Sequence, residues 1–217
     1  MRLLVATTNQ NKVREIRQLL DSVNVELVTL AAWPEVAAPD ETGTSFEENA
    51  RAKALYYAAA TGELTVAEDS GLEIDALGGA PGVESARFGG ADTSYPDKFA
   101  LIYGALRAKD VATSTARFIC AVAVAQDSRV LFETRGTVEG TIAPAPRGDG
   151  GFGYDPIFFY PPYGKTLAEA GDAKAAVSHR GEAFRALRSF LARSPTDDCQ
   201  RPTNKKEPQT TQRSQSK

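Results

Sequence analysis

Leu3-Leu4-Val5-Ala6 opens the hydrophobic pattern and reads as a short buried strand. Lys12 to Leu20 follows with Val13, Ile16, Leu19 and Leu20 at helical spacing, giving a strand, turn and helix. Two overlapping capping boxes, Thr44 to Glu47 and Ser45 to Glu48, announce a second helix that runs through an alanine-rich stretch to about Thr61 and stops at Gly62. Leu64 to Ala67 is a further short apolar run, and it delivers Glu68, Asp69, Ser70 and Gly71 at its C-terminal end. Lys98 to Leu106 reads as a helix after the glycine-rich segment 78–90. Arg117 to Ala125 and Arg129 to Val138 read as two antiparallel strands turning at Gln126-Asp127-Ser128. Ser178 is the expected N-cap of a last helix that buries Phe184, Leu187, Phe190 and Leu191. From Ser194 the chain is rich in Pro, Thr, Gln and Lys without periodicity, so 194–217 is expected to be a disordered polar tail beyond a folded domain of residues 1–193. The fold class is α/β.

Composition narrows the partners. With 217 residues and 42% hydrophobic content, the chain can bury one good core. A net charge of -3 argues against a broad surface for nucleic-acid polymers, while leaving room for a local basic cleft around a small phosphorylated ligand. Two cysteines, Cys120 and Cys199, are too few for a disulfide scaffold, and Cys120 reads as a buried structural thiol. The single histidine, His179, excludes a zinc site built from several imidazoles, so any metal should be a hard cation on carboxylates. No signal peptide or bilayer-length apolar run is visible, and the expectation is a cytoplasmic enzyme without a membrane partner.

Four segments carry candidate chemistry. Thr7-Thr8-Asn9-Gln10-Asn11-Lys12 joins the first strand to the first helix; turn amides, a helix N-terminus and a lysine make either a phosphate cradle or an ordinary capped turn. Glu68-Asp69-Ser70-Gly71 puts two acids side by side, of which one faces a cleft and the other turns away or supports it. A carboxylate there, with Asp40 or Glu41 from the upstream loop, could hold Mg²⁺; a solvated turn is the competing reading. In the glycine-rich stretch 147–156, Phe152 and Tyr154 offer flat surfaces for a base or serve as aromatic plugs. Lys174 and Ser178-His179-Arg180 bring donors to the last helix, suited to a keto purine or a phosphate. Read alone, Lys53 and Arg87 are surface cations.

In this order and spacing the segments resemble the Ham1/RdgB-like inosine triphosphate pyrophosphatase family. The resemblance rests on Ala6 to Lys12, Glu41-Thr42-Gly43 with Phe46 to Ala50, Asp69 to Leu72, Leu77 to Val83 with Ser85-Ala86-Arg87, Gly150 to Pro156 and Ser178-His179-Arg180. It implies an elongated two-lobed protein with a mixed sheet, usually a homodimer, holding a nucleoside triphosphate in the cleft between lobes. By matching motifs, Thr7, Thr8, Asn9, Gln10, Asn11, Lys12 and Lys53 would hold the triphosphate, with Ser70 and Lys174 near the substrate. Glu41 and Asp69 would bind Mg²⁺, and Asp69 would be the catalytic base. Phe152, Gly153, Tyr154, Asp155, His179 and Arg180 would surround the base. The implied reaction releases monophosphate and pyrophosphate from ITP, dITP or XTP. A Maf-like pyrophosphatase and a non-hydrolysing nucleotide-binding module remain the other readings.

Overall fold

The computed structural model describes residues 1–192; the expected tail, 194–217, lies outside them. Strand β1 (Arg2–Val5) leads into helix α1 (Gln10–Leu20), whose N-cap Asn9 accepts hydrogen bonds from the amides of Asn11 and Lys12 at 3.0 and 3.3 Å. Val13, Ile16 and Leu20 form the buried stripe of α1. β2 (Glu26–Thr29), a strand the sequence reading did not single out, lies parallel beside β1. Helix α2 (Phe46–Thr61) starts at Ser45, whose hydroxyl accepts from the Glu48 amide, and ends at Gly62 in the left-handed region (φ 71°). The reciprocal half of the expected capping box is displaced by one residue: the Glu48 carboxylate accepts from the amide and hydroxyl of Thr44.

β3 (Thr65–Ile74) corrects the sequence reading, which ended this run before the acids. The strand continues through Glu68, Asp69 and Ser70, so the acids stand in mid-strand and point to opposite faces. α3 (Tyr95–Ala108), β4 (Thr115–Gln126) and β5 (Arg129–Ile142) follow, the two strands joined at Asp127 with φ 55°. Short strands β6 (Phe158–Tyr160) and β7 (Lys165–Thr166) lead to α4 (Lys174–Val177) and α5 (His179–Leu191). Ser178 caps α5 as expected; Phe184 and Leu187 are buried, whereas Phe190 and Leu191 are only partly so.

The seven strands form one mixed sheet in the order β2-β1-β3-β4-β5-β6-β7. β1 is parallel to both neighbours and every other pairing is antiparallel. Two lobes arise because the long strands β3, β4 and β5 serve different cores at their two ends. One end packs on α1 and α5 across one face and on α2 across the other, where Ala50, Ala54 and Ala58 lie in one cluster with Ala67, Ala121 and Ala123. Such small facing side chains let helix and sheet approach closely. The other end carries Leu72, Ile74, Phe118, Val138 and Ile142 against α3 and β6. Among the described residues no helix is long and apolar enough to cross a membrane.

β1 pairs with β3 only at Leu4 with Thr65 and Val5 with Val66. Beyond Val66 the chain after β1 turns away into α1, and the β3 edge is left open where Asp69 and Ser70 stand. This fork in the sheet positions the site.

Candidate active site

A cleft of about 280 Å³ opens at the fork. Its walls include Thr7, Thr8, Asn9 and Lys12 from the turn into α1, Lys53 from α2, and Asp69 and Ser70 from β3. Glu41 comes from the preceding loop, and the far end is made by Phe152, Gly153, Tyr154, Asp155, Lys174, His179 and Arg180. Of the residues expected from sequence, Gln10 and Asn11 do not border the cleft; the Gln10 amide lies toward the Thr8 carbonyl at 3.5 Å. Asn9 borders it, but its side-chain oxygen is committed to capping α1.

Two acids converge on one cation at the near end. Lys53 Nζ donates to Glu41 Oε1 at 2.7 Å and lies 3.7 Å from Asp69 Oδ1. Asn49, one turn earlier on α2, donates to Asp69 Oδ2 at 2.9 Å and accepts the Gly43 amide at 2.9 Å, tying the Glu41 loop to β3. Arg87 adds a second restraint, with Nη2 donating to the Glu41 carbonyl at 3.3 Å and Nη1 3.6 Å from its carboxylate. Burial raises the Asp69 pKa above the ordinary aspartate value despite Lys53 and Asn49. Burial also pushes Glu41 up, but the adjoining Lys53 more than offsets it and its net shift is downward.

Those two carboxylates already share one positive centre, so they reach a common cation position. Among the described residues no group of three His, Cys, Asp or Glu side chains is arranged to hold a metal. Glu41 and Asp69, converging on Lys53 Nζ, are two carboxylates that would hold a magnesium together with water and substrate phosphate, the usual arrangement for that ion. Asp40 is exposed and away from the cleft wall, so Glu41 is the acid of this loop that borders the cleft.

The far end is a chain of alternating charges. Asp155 accepts from the Phe152 amide at 2.8 Å and from Lys174 Nζ at 2.7 Å. Lys174 also donates to Glu15 at 2.8 Å, and Glu15 accepts from Arg180 Nη1 at 2.7 Å. Arg180 donates through Nε and Nη2 to Glu68 at 3.0 and 3.1 Å and through Nη2 to Ser70 Oγ at 3.0 Å. Lys12, which also acts on Glu41 and Asp69 at the near end, joins this chain to it, 3.4 Å from Glu68. Glu68 thus lies behind the cleft wall on the α5 side, where it also accepts the Cys120 thiol proton. Gly151, at φ 69°, is required here, since a Cβ would overlap the Asp155 carboxylate.

The aromatic residues divide into two jobs. Phe152 is half-buried, with Lys174 Nζ 4.9 Å and the Arg180 guanidinium 5.5 Å from its ring centre. Tyr154 is 3% exposed, meets Tyr95 edge-on at 5.3 Å and donates its hydroxyl to the Ser85 carbonyl. It is chiefly a core plug, and Phe152 is the available platform. His179 stacks on Phe118 at 4.9 Å, and its Nδ1 is buried without a partner among the described residues. Burial, reinforced by Arg180, holds its pKa well below the normal histidine range, so the imidazole is neutral at pH 7.

Sequence reasoning missed Glu15 and Asn49, whereas Glu68 is the second acid of the pair, turned away from the cleft and supporting its wall. Glu15 lies on a helix position that reads as solvated, and only its partners 159 and 165 residues away reveal it.

A model of the Ham1 family matches residues 3–190. The dITP/XTP pyrophosphatase of Gloeobacter violaceus is 50% identical over 88% of this chain and 94% of its own, and that of an Exiguobacterium species is 47% identical over 88% and 97%. Among solved structures, a HAM1 protein from Coxiella burnetii is similar with a TM-score of 0.83 and 36% identity, covering 89% of this chain and all of that one. With the cleft at the sheet fork and matches of this extent, the chain belongs to the Ham1 family.

Proposed function

We propose that this chain hydrolyses non-canonical purine nucleoside triphosphates, ITP, dITP and XTP, to the monophosphate and pyrophosphate, removing them from the nucleotide pool. The observation that carries the reading is the polarity of the cleft. Glu41, Asp69, Lys53 and Lys12 gather at one end, and the ring of Phe152 with His179, Arg180 and Asp155 at the other. The names of the relatives, dITP/XTP pyrophosphatases, support the same substrate class.

The triphosphate lies against Thr7, Thr8, Asn9, Lys12 and Lys53, where ammonium groups neutralise oxygens that gain charge as pyrophosphate leaves. Asp69 orients the attacking water and takes its proton, the role of a positioned carboxylate beside the phosphates. Glu41 and Asp69 would hold Mg²⁺, which would supply further positive charge at the phosphates. Lys53, now between those acids, is within reach to turn onto a phosphate.

The purine stacks on Phe152. Arg180 spends Nε, one Nη1 proton and both Nη2 protons on Glu68, Glu15 and Ser70, so of its five N–H groups one remains for the base. With the neutral His179 it pairs with a keto oxygen at position 6; the amino group of adenine meets donors there and costs about 1–3 kcal/mol. Residues 1–193 form the pyrophosphatase domain, acting as a cytoplasmic homodimer as the family resemblance implies. Pyrophosphate release measured across ITP, dITP, XTP, GTP, ATP and dUTP, with and without Mg²⁺, tests this reading. Comparable turnover of ATP and ITP would overturn the base assignment.

A further inference from the structure

Tyr57 lies one helical turn beyond Lys53 on α2, so the two side chains share a face. Its ring is 3% exposed and packs in the apolar cluster with Phe46, Ala54, Leu30 and Trp33. The residue nevertheless borders the cleft, beside Leu30, Ala38 and Pro39. Among the described residues no hydrogen bond reaches its phenol; the bond that Tyr57 does make uses its backbone carbonyl, which accepts from Thr61. The phenol oxygen is not sealed either, because His179 Nδ1 is the sealed side-chain polar atom that lacks a partner. The oxygen thus keeps some exposure on a residue that lines the cleft.

Other tyrosines packed against apolar clusters behave differently. Tyr154 donates to the Ser85 carbonyl at 2.8 Å and Tyr103 to the Ala143 carbonyl at 2.9 Å, as enclosed phenols normally do. The missing protein partner at Tyr57 leaves a donor available to whatever fills the cleft that this residue lines.

Its place along α2 says which part of the ligand that is. Phe46 stands against Gly71, Asn49 and Lys53 against Asp69, so successive turns of α2 move back along β3 toward Ala6 and Thr7. That direction leads away from Phe152, His179 and Arg180. One turn past Lys53, a phenol donor beside an ammonium suits an anionic oxygen acceptor. Burial lifts the phenol's pKa, so it keeps its proton to donate.

We propose that the Tyr57 hydroxyl donates to the outer phosphates of the nucleotide and so belongs to the subsite of the departing pyrophosphate; this rests on the pyrophosphohydrolase reading above. Tyr57→Phe keeps the ring and removes only the donor. The test is product inhibition of ITP hydrolysis by inorganic pyrophosphate and, separately, by IMP, in wild type and variant, with thermal unfolding as a control. The expected result is about tenfold weaker inhibition by pyrophosphate and a raised KM for ITP, with inhibition by IMP and Tm unchanged. Pyrophosphate inhibition within twofold of wild type overturns the proposal, and so does an equal weakening for both products. A wild-type protein that releases no pyrophosphate from ITP would overturn the functional reading instead.

Discussion

Glu68 and Arg180 meet through two hydrogen bonds, Nε to Oε1 at 3.0 Å and Nη2 to Oε2 at 3.1 Å, although their side chains are only 2% and 1% exposed. A charge this deep is tolerated only with its partner, and removing one member costs more than the pair contributes. Glu68→Gln should therefore lower the unfolding free energy by about 3–5 kcal/mol, read from urea denaturation. A loss under 1 kcal/mol would show that water reaches Arg180 and that the pair is not a buried anchor.

The same carboxylate sets an acid limit on stability. Burial pushes Glu68 up, but Arg180 and Lys12 more than compensate and hold its carboxyl well below the normal range. Its folded pKa thus lies below the unfolded value of about 4.3. The contribution is complete above the unfolded pKa and is lost as pH falls below it. Wild type should lose stability steadily from about pH 5 downward. In Glu68→Gln that slope should be shallower, and equal slopes would remove Glu68 from the account.

Asp69 should separate chemistry from binding. Asparagine keeps an oxygen to accept from Asn49, so the fold around β3 is preserved. A positioned general base contributes about 10²- to 10⁴-fold, and Asp69→Asn should cost kcat by that order with a smaller change in KM. Near-normal pyrophosphate release would transfer the base role elsewhere.

How far the sequence discloses this site follows from where each contact comes from. α1, α2 and α5 are legible because their caps and apolar spacing are local: Asn9, Ser45, Ser178 and the Val13, Ile16, Leu20 stripe. β3 is misread because Glu68-Asp69-Ser70-Gly71 has the composition of a turn. It stays extended because Arg180, 112 residues on, and Asn49, 20 residues back, satisfy its acids. Most residues that line the cleft came through their motifs. The side chains that hold them, Glu15 and Asn49, carry no local signal, since their meaning lies in partners brought together by the sheet.

The Glu41 loop offers a prediction about the metal. Arg87 holds the backbone and carboxylate of Glu41 from one side, while Lys53 holds it from the other. If Glu41 is a ligand, Glu41→Gln should raise the Mg²⁺ concentration for half-maximal activity by about 10- to 100-fold, and Arg87→Ala by less, since it acts by orienting the ligand. Titration of activity with Mg²⁺ at saturating ITP measures both. Unchanged Mg²⁺ dependence in Glu41→Gln would leave Asp69 as the lone protein ligand.

Gly136 gives a purely steric test of how the base end is positioned. It lies in β5 opposite Cys120, with the first turn of α5 pressed on its open side. A Cβ there would overlap the His179 carbonyl oxygen and lie 2.7 Å from the Ala183 amide. Both are backbone atoms, so the contact cannot be relieved by a rotamer change. Gly136→Ala must push the start of α5 away from the sheet, carrying His179 and Arg180 with it. Overpacking of this kind costs about 1–3 kcal/mol, so the variant should remain folded at 25 °C but show a lower Tm. Because the displaced residues are those proposed to meet the base, the preference for ITP over ATP should fall along with kcat/KM. A variant with lowered Tm but undiminished ITP preference would show that the base contacts do not depend on the seat of α5 against β5.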